Sequence, residues 1–196
     1  STLDRSSAAS DVYKRQRMVM PMDRLTRCVI CLAVLLQSAE LLADWREALP
    51  DAHLLGSGEM RMFGFSIYNA RFWSPRQPLG ADTPFALELT YSRAISRDDL
   101  VEASLKEIRR LTPGSLSPEL AARWEREMQQ AFVDVRPGDR ITGVYRPGEG
   151  VRFYVGDTLQ HVVKDDAFAK AFFAIWLDPR TRNPQLRAQL LGEAKP

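Results

Sequence analysis

Residues 53–73 read HLLGSGEMRMFGFSIYNARFW, and their pattern predicts two strands joined by a turn. Glycines at positions 56, 58 and 64 indicate a bulge or a tight turn between these strands. From Phe65 onward the residues alternate with the period of two that is typical of a strand. The alternation assigns one face to Ser66, Tyr68, Ala70 and Phe72, and the other face to Phe65, Ile67, Asn69, Arg71 and Trp73.

The rest of the chain predicts further strands that are separated from blocks of helices. Strands are expected at 85–92, 140–145, 151–155 and 158–163, the last three joined by short turns containing glycine. Short turns between successive strands favour antiparallel pairing. Each of the predicted helices begins at a capping signal, and these signals are Ser96, Ser117-Pro118, Asp165 or Asp166, and Asn183-Pro184.

The order of these elements predicts the fold class. Two or three strands precede two helices, and three strands precede two more helices. Because the helices come in blocks and do not alternate with the strands, we expect an α+β protein. The simplest arrangement is a large antiparallel sheet with helices layered on one face.

Composition and charge exclude several functional classes. The chain has 196 residues and a net charge of +2, but residues 44–196 carry 21 acidic and 21 basic side chains and are neutral. A neutral body does not predict nucleic-acid binding. Cys28 and Cys31 both lie before residue 44, which excludes disulfides and thiol chemistry from the body. The two histidines, His53 and His161, are far apart in sequence and have no carboxylate or second histidine at ligand spacing, so we expect no metal. No cofactor is predicted either.

The N-terminal region predicts an export signal. Residues 1–17 are polar, and we expect a non-native or unstructured extension. Within residues 18–43, two arginines precede the nine apolar residues of 28–36, which are too few to span a ~30 Å hydrocarbon core. We therefore expect signal cleavage near Ala43, a mature domain over residues 44–196, and an exported, periplasmic protein without a stable membrane span.

Motifs of known chemistry are absent from the body, which contains no nucleophile elbow, phosphate loop, dinucleotide fingerprint or HExxH helix. The remaining candidates for a functional role are the polar residues on or beside the apolar strands, namely Tyr68, Arg71, Tyr91 and Arg93. An arginine there can pair with a carboxylate for structural reasons. It can also close an apolar cleft by binding the acidic group of a ligand.

Four stretches of the chain, at 55–73, 85–110, 132–142 and 168–192, resemble the bacterial branch of the chalcone isomerase-like family. The resemblance covers nearly all of residues 52–192 and depends on the order and spacing of the stretches. It implies an open-faced β-sandwich in which a large antiparallel sheet is layered by helices, with a cleft for a hydrophobic ligand. Plant enzymes of this family cyclise chalcones without a cofactor. Other branches bind fatty acids or have no known catalysis.

The resemblance also implies where the family's functional residues fall. Arg61 is the best positional candidate for the cleft arginine. The strand threonine falls near Ile67 or Tyr68, and the assisting tyrosine, lysine and asparagine align to about Leu100, Ala103 and Glu107. The late serine or threonine falls near Thr181 or Asn183. Most of the polar network is therefore missing, and losing even one stabilising donor typically costs ~10²–10³ in rate.

These observations predict an exported, non-catalytic protein that binds a small hydrophobic ligand, such as a fatty acid, between sheet and helices. Arg61 is the expected anchor, with Tyr68, Arg71 and Asn183 as further ligand-binding candidates. Two alternatives stay open. One is a cofactor-independent intramolecular lyase or isomerase acting on a chalcone-like or other conjugated ketone. The other is a structural or interaction protein without a ligand. The oligomeric state is not predicted.

Overall fold

The computed structural model describes residues 44–80, 82–112, 114 and 116–193. The strands in this part of the chain are β1 (His53–Met62), β2 (Phe65–Ser74), β3 (Phe85–Tyr91), β4 (Arg140–Arg146), β5 (Gly150–Val155) and β6 (Thr158–Val163). The helices are α1 (Trp45–Ala48), α2 (Arg97–Leu111), α3 (Pro118–Ala131), α4 (Asp166–Leu177) and α5 (Pro184–Leu190).

The six strands form one antiparallel sheet in the order β1-β2-β3-β4-β5-β6. This meander confirms the predicted large antiparallel sheet and the separation of strands from helix blocks. The β1–β2 hairpin turns at Phe63 and Gly64, whose φ angles are 51° and 83°. Positive φ at both central residues is typical of the tight turn whose twist matches a hairpin.

The predicted capping residues begin the four larger helices. The side chains of Ser96, Ser117 and Asn183 accept hydrogen bonds from backbone N–H groups in the first turns of α2, α3 and α5. Of the two aspartates proposed for α4, Asp165 is the cap, and its side chain accepts from the backbone of Phe168. Each cap satisfies one of the N–H groups that a helix leaves unpaired at its start.

Helices α2 to α5 contribute to the main hydrophobic core, which lies on one face of the sheet. Ala70 and Phe72 point into this core from β2, as their alternation predicts. A smaller cluster lies on the other face, where Trp45 of α1 packs against Trp73 at 5.6 Å between ring centroids. Helix α1 has no counterpart in the sequence prediction, because four residues are too few to show a helical period.

Of the predicted bulge or tight turn, Gly64 lies in the turn, and the pairing of β1 with β2 has an irregularity between Leu54 and Gly56. Gly56 and Gly58 also have a further role. A Cβ atom on Gly56 would collide with the main-chain oxygens of Gln189 and Leu190, and one on Gly58 would lie 2.7 Å from Leu186 Cδ1. Both contacts come from α5 or its C-terminal end. The two glycines therefore allow α5 to lie directly on β1.

The predicted extension at 1–17 and the predicted export signal at 18–43 lie outside the residues that the structure describes. Within the described residues, none of the helices combines the length and the apolar composition needed to cross a bilayer.

Candidate functional site

A cavity of about 540 Å³ lies between the β1–β2 hairpin and the helices. The ends of the sheet strands supply Met60, Ile67, Tyr68 and Tyr91, and the helical side supplies residues of α2, α4 and α5. Its walls are mainly apolar, as shown by Met60, Ile67, Ile95, Leu100, Ile175 and Leu186. The volume falls within the range of ~300–1,000 Å³ that is typical of small-molecule sites.

An irregularity in the hairpin brings two consecutive residues of β2 to this cavity. Met60 pairs with Tyr68 and Arg61 pairs with Ser66, so Ile67 is an extra residue between the two pairs. Such a bulge re-aims side chains and locally disrupts strand alternation. Ile67 and Tyr68 both line the cavity for this reason.

The Tyr68 hydroxyl is the best-positioned polar group of the cavity. Trp176 Nε1 donates a hydrogen bond of 2.9 Å to the Tyr68 oxygen, which leaves the hydroxyl proton available for another acceptor. Burial raises the pKa of Tyr68 to about 12, although the Trp176 hydrogen bond opposes the rise. Burial and the neighbouring Tyr68 also raise the pKa of Tyr91. Both hydroxyls are therefore neutral hydrogen-bond donors near neutral pH.

Three cationic side chains, those of Arg93, Lys106 and Arg182, line the cavity alongside its apolar walls. Arg182 Nε lies 2.6 Å from Glu107 Oε1, so its charge is already paired. Arg93 and Lys106 are exposed and form no ion pair with the described residues. These two cations are the groups that can receive the acidic head of a ligand.

Arg61, the anchor expected from the sequence, does not line the cavity. Met60 and Met62 point toward the cavity, so strand alternation turns Arg61 away from it. Its guanidinium instead lies 2.9 Å from Glu59 Oε2 and donates a 2.8 Å hydrogen bond to the Gly64 oxygen. The expectation that Arg61 lies at the cleft is therefore corrected, and the cations that line the cavity without an ion partner among the described residues are Arg93 and Lys106.

Arg71 also lies away from the cavity, on the other face of the sheet. Its Nη1 atom is 3.5 Å from Oε1 of Glu88, the residue that it faces across β2 and β3. Glu88 is almost fully buried, and Arg140 Nη1 lies 3.5 Å from its second oxygen. Arg71 thus compensates a buried carboxylate, which is the structural alternative that the sequence left open.

Asn183 lines the cavity, but its side chain already has structural contacts. Its Oδ1 caps α5 by accepting from Leu186 N at 2.9 Å, and its Nδ2 lies 3.4 Å from Met60 Sδ. Thr181, the other candidate at this position, also lines the cavity and donates its hydroxyl to the Ile175 oxygen. Tyr68 and Asn183 are therefore brought together at one cavity, whereas Arg61 and Arg71 are not.

The helix positions aligned to the family's assisting residues all face the cavity, as the resemblance implies. Leu100, Ala103 and Glu107 line it from α2. None of the three is a tyrosine, lysine or asparagine. The sequence analysis did not identify Lys106 and Arg182 as candidates. Lys106 could have been found, because it lies three residues after Ala103 and residues three apart are neighbours on a helix.

A larger groove of about 1,040 Å³ lies between α2 and α3, but it does not have the character of a ligand site. Charged and polar side chains such as Asp98, Glu102, Arg109 and Glu125 line most of it. Among the described residues, no group of three or more His, Cys, Asp or Glu side chains is arranged to hold a metal ion. The apolar cavity is therefore the candidate functional site.

The fold and the cavity together define an α+β protein whose open antiparallel sheet and overlying helices enclose a site of ligand size. The model of the chalcone isomerase-like family matches residues 56–192, and the chain belongs to this family. An uncharacterized protein of Haemophilus influenzae is 30% identical over 151 residues, which cover 76% of this chain and 73% of that protein.

A solved structure shows the same fold. The crystal structure of a fatty-acid binding protein of Arabidopsis thaliana superposes with a TM-score of 0.56 at 13% identity. The match covers 72% of this chain and 87% of the Arabidopsis chain. This likeness confirms the predicted architecture of an open antiparallel sheet with helices packed on it.

Proposed function

We propose that the protein binds a small amphiphilic ligand, such as a fatty acid, and does not convert it chemically. The observation that carries this proposal is the cavity itself, which combines apolar walls with the cations Arg93 and Lys106. An aliphatic chain would pack against Met60, Leu100 and Leu186, and a carboxylate would meet the two cations. Burial of the chain supplies affinity, and the charged contact orients the ligand.

The description of the Arabidopsis neighbour as a fatty-acid binding protein supports this ligand class. A cavity of this size also favours a ligand-binding role over a purely structural protein with a filled cleft. The Tyr68 hydroxyl accepts a hydrogen bond from Trp176 and can itself donate one to a carboxylate or carbonyl oxygen of the ligand. Such a donor fixes the position of a ligand without requiring any reaction.

The chemistry of the lining supports a non-catalytic role. At Ile67, Leu100 and Ala103, where the family resemblance implies polar groups, the cavity has only hydrocarbon. A general base must lose its proton near the working pH, and the raised pKa values of Tyr68 and Tyr91 prevent this near pH 7. We therefore expect no acceleration of chalcone cyclisation. Loss of chalcone absorbance faster than the spontaneous rate would contradict this part of the proposal.

The experiment that tests ligand binding is displacement of a fluorescent fatty-acid analogue by palmitate. Arg93→Met combined with Lys106→Met removes both cations and should weaken palmitate binding about tenfold or more. Arg71→Met is the matched control, because it removes an arginine from the other face of the sheet. It should leave the affinity for palmitate unchanged.

A second pair of variants tests the location of the site. Ala103→Trp introduces a large ring into the cavity and should abolish palmitate binding. Glu102→Trp places the same ring on the neighbouring position of α2, outside the cavity lining, and should have no effect on binding. Unchanged binding in Ala103→Trp, or equal losses in both variants, would refute the assignment of this cavity.

We also propose that the protein is exported, on the basis of the apolar segment at 28–36 and the arginines before it. Expression of the full chain in a Gram-negative host, followed by fractionation and N-terminal sequencing, tests this. The expected result is a periplasmic product that begins near Asp44. A cytosolic product that retains the apolar segment would refute it.

A further inference from the structure

The tip of the β1–β2 hairpin concentrates apolar side chains at the surface. The exposed large hydrophobic residues of the described chain are Leu54, Met62, Phe63, Phe65 and Val162, and three of the five fall within four consecutive positions. Phe63 is 93% exposed and Phe65 is 67% exposed. A compact apolar patch of this kind marks an interaction surface more often than a scattered exposed residue does.

Phe63 occupies a backbone conformation that disfavours it. Its φ of 51° lies in the left-handed region, where glycine and asparagine are preferred and a bulky residue is uncommon. Because its side chain is almost fully exposed, packing within the fold does not explain a phenylalanine here. A contact outside the chain is a direct reason for an aromatic side chain at this position.

The hairpin tip borders the cavity, and one cation of the cavity, Arg93, lies beside the tip. Met62 and Ile67, which flank the tip, both line the cavity. The guanidinium carbon of Arg93 lies 5.9 Å from the centre of the Phe65 ring, and Arg93 and Lys106 both line the cavity as well. Apolar side chains next to cations match an anionic lipid surface, in which acyl chains lie beneath negative headgroups.

We propose that the hairpin tip docks on the surface of a bilayer that contains anionic lipid. Phe63 and Phe65 enter the boundary between headgroups and acyl chains, while Arg93 and Lys106 contact the headgroups. This inference goes beyond ligand binding, since it assigns a partner to a surface outside the cavity. It also gives a poorly soluble amphiphile a short route between the bilayer and the cavity.

The test is co-sedimentation of the purified protein comprising residues 44–196, without added ligand, with vesicles of phosphatidylcholine containing about one third phosphatidylglycerol. The protein should sediment with these vesicles, and less with pure phosphatidylcholine or at high salt. Phe63→Asn should weaken partition about tenfold or more, because a buried phenylalanine contributes that much. Arg93→Met combined with Lys106→Met should weaken it about fivefold or more per cation removed.

Phe63→Asn is chosen because asparagine suits a positive φ, so this variant should unfold at the same or a higher temperature than the parent protein. Leu54→Ser, near the opposite end of β1, is the control for loss of an exposed apolar side chain and should sediment like the parent. Palmitate displacement in solution should be unchanged in Phe63→Asn, which separates docking from ligand binding.

Three results would overturn the proposal. The first is failure of the parent protein to sediment with anionic vesicles, whatever its affinity for palmitate. The second is equal sedimentation of Phe63→Asn and the parent. The third is a concentration-dependent dimer that Phe63→Asn abolishes, without vesicle binding, because the tip would then contact a second copy of the chain.

Discussion

The close approach of α5 to β1 leads to a sharp prediction for Gly56→Ala. Gly56 does not have a positive φ, so an alanine is compatible with its backbone. The new Cβ would collide with the main-chain oxygens of Gln189 and Leu190, which no side-chain rotation can move. Overpacking of this kind typically lowers the free energy of unfolding by 1–3 kcal/mol. Because both contacts are with main-chain atoms, we expect a loss at the upper end of this range, about 3 kcal/mol. For a domain of this size the melting temperature should fall by about 6–12 °C.

Gly58→Ala provides the comparison, because two of the three nearest atoms that its Cβ would meet, including the nearest, belong to the side chain of Gln189. Gln189→Ala should therefore recover part of the stability lost in Gly58→Ala and none of that lost in Gly56→Ala. Urea unfolding of the single and double variants measures both interactions. Gly64→Ala, where φ is +83° and space is open, should cost only about 1 kcal/mol. A smaller loss in Gly56→Ala than in Gly64→Ala would refute the close-packing argument.

Two further predictions concern polar groups. Partial burial raises the pKa of Asp165, but hydrogen bonds from Phe168 N, Trp124 and Arg123 outweigh this and hold it below its usual range. The ionised form thus stabilises the fold above pH ~4, and this contribution is lost as pH falls through the lowered pKa. Asp165→Asn should lower the free energy of unfolding by about 1 kcal/mol at pH 7 and by almost nothing near pH 2. Urea unfolding at both pH values measures this difference. Equal losses at the two pH values would contradict the prediction. Tyr68→Phe leaves the Trp176 N–H unpaired and should lower the free energy of unfolding by about 1–2 kcal/mol. The Tyr91 hydroxyl has no hydrogen-bond partner among the described residues, so Tyr91→Phe should lower it by less. If urea unfolding shows equal losses of stability in Tyr68→Phe and Tyr91→Phe, the stabilising role assigned to the Trp176–Tyr68 hydrogen bond is wrong.

Local patterns predicted much of the fold. Ser96, Ser117 and Asn183 begin helices as expected, because a capping bond joins residues only three positions apart. The alternation in β2 placed Ala70 and Phe72 correctly in the core. These features depend on contacts close in sequence, so the sequence contains the information needed to predict them.

The site was harder to predict, and Arg61 shows why. The resemblance assigned it to the cleft, whereas strand alternation places Met60 and Met62 there and turns Arg61 away. The bulge at Ile67 was also not predicted, although it decides which residues of β2 reach the cavity. A bulge changes the register by one residue, and register depends on the partner strand.

The amino-acid sequence alone determined the order of the strands and the four larger helices, the capping residues of three of those helices, and the family, since each depends on local spacing or on similarity along the chain. Only the tertiary structure decided which cations lie at the cavity. Arg93 lies in the connection between β3 and α2, Lys106 lies within α2, and the packing of the hairpin, α4 and α5 around them forms the cavity that both line. The physical reason is that a cavity forms where several elements leave space between them, and the positions of all of them must be known to define it.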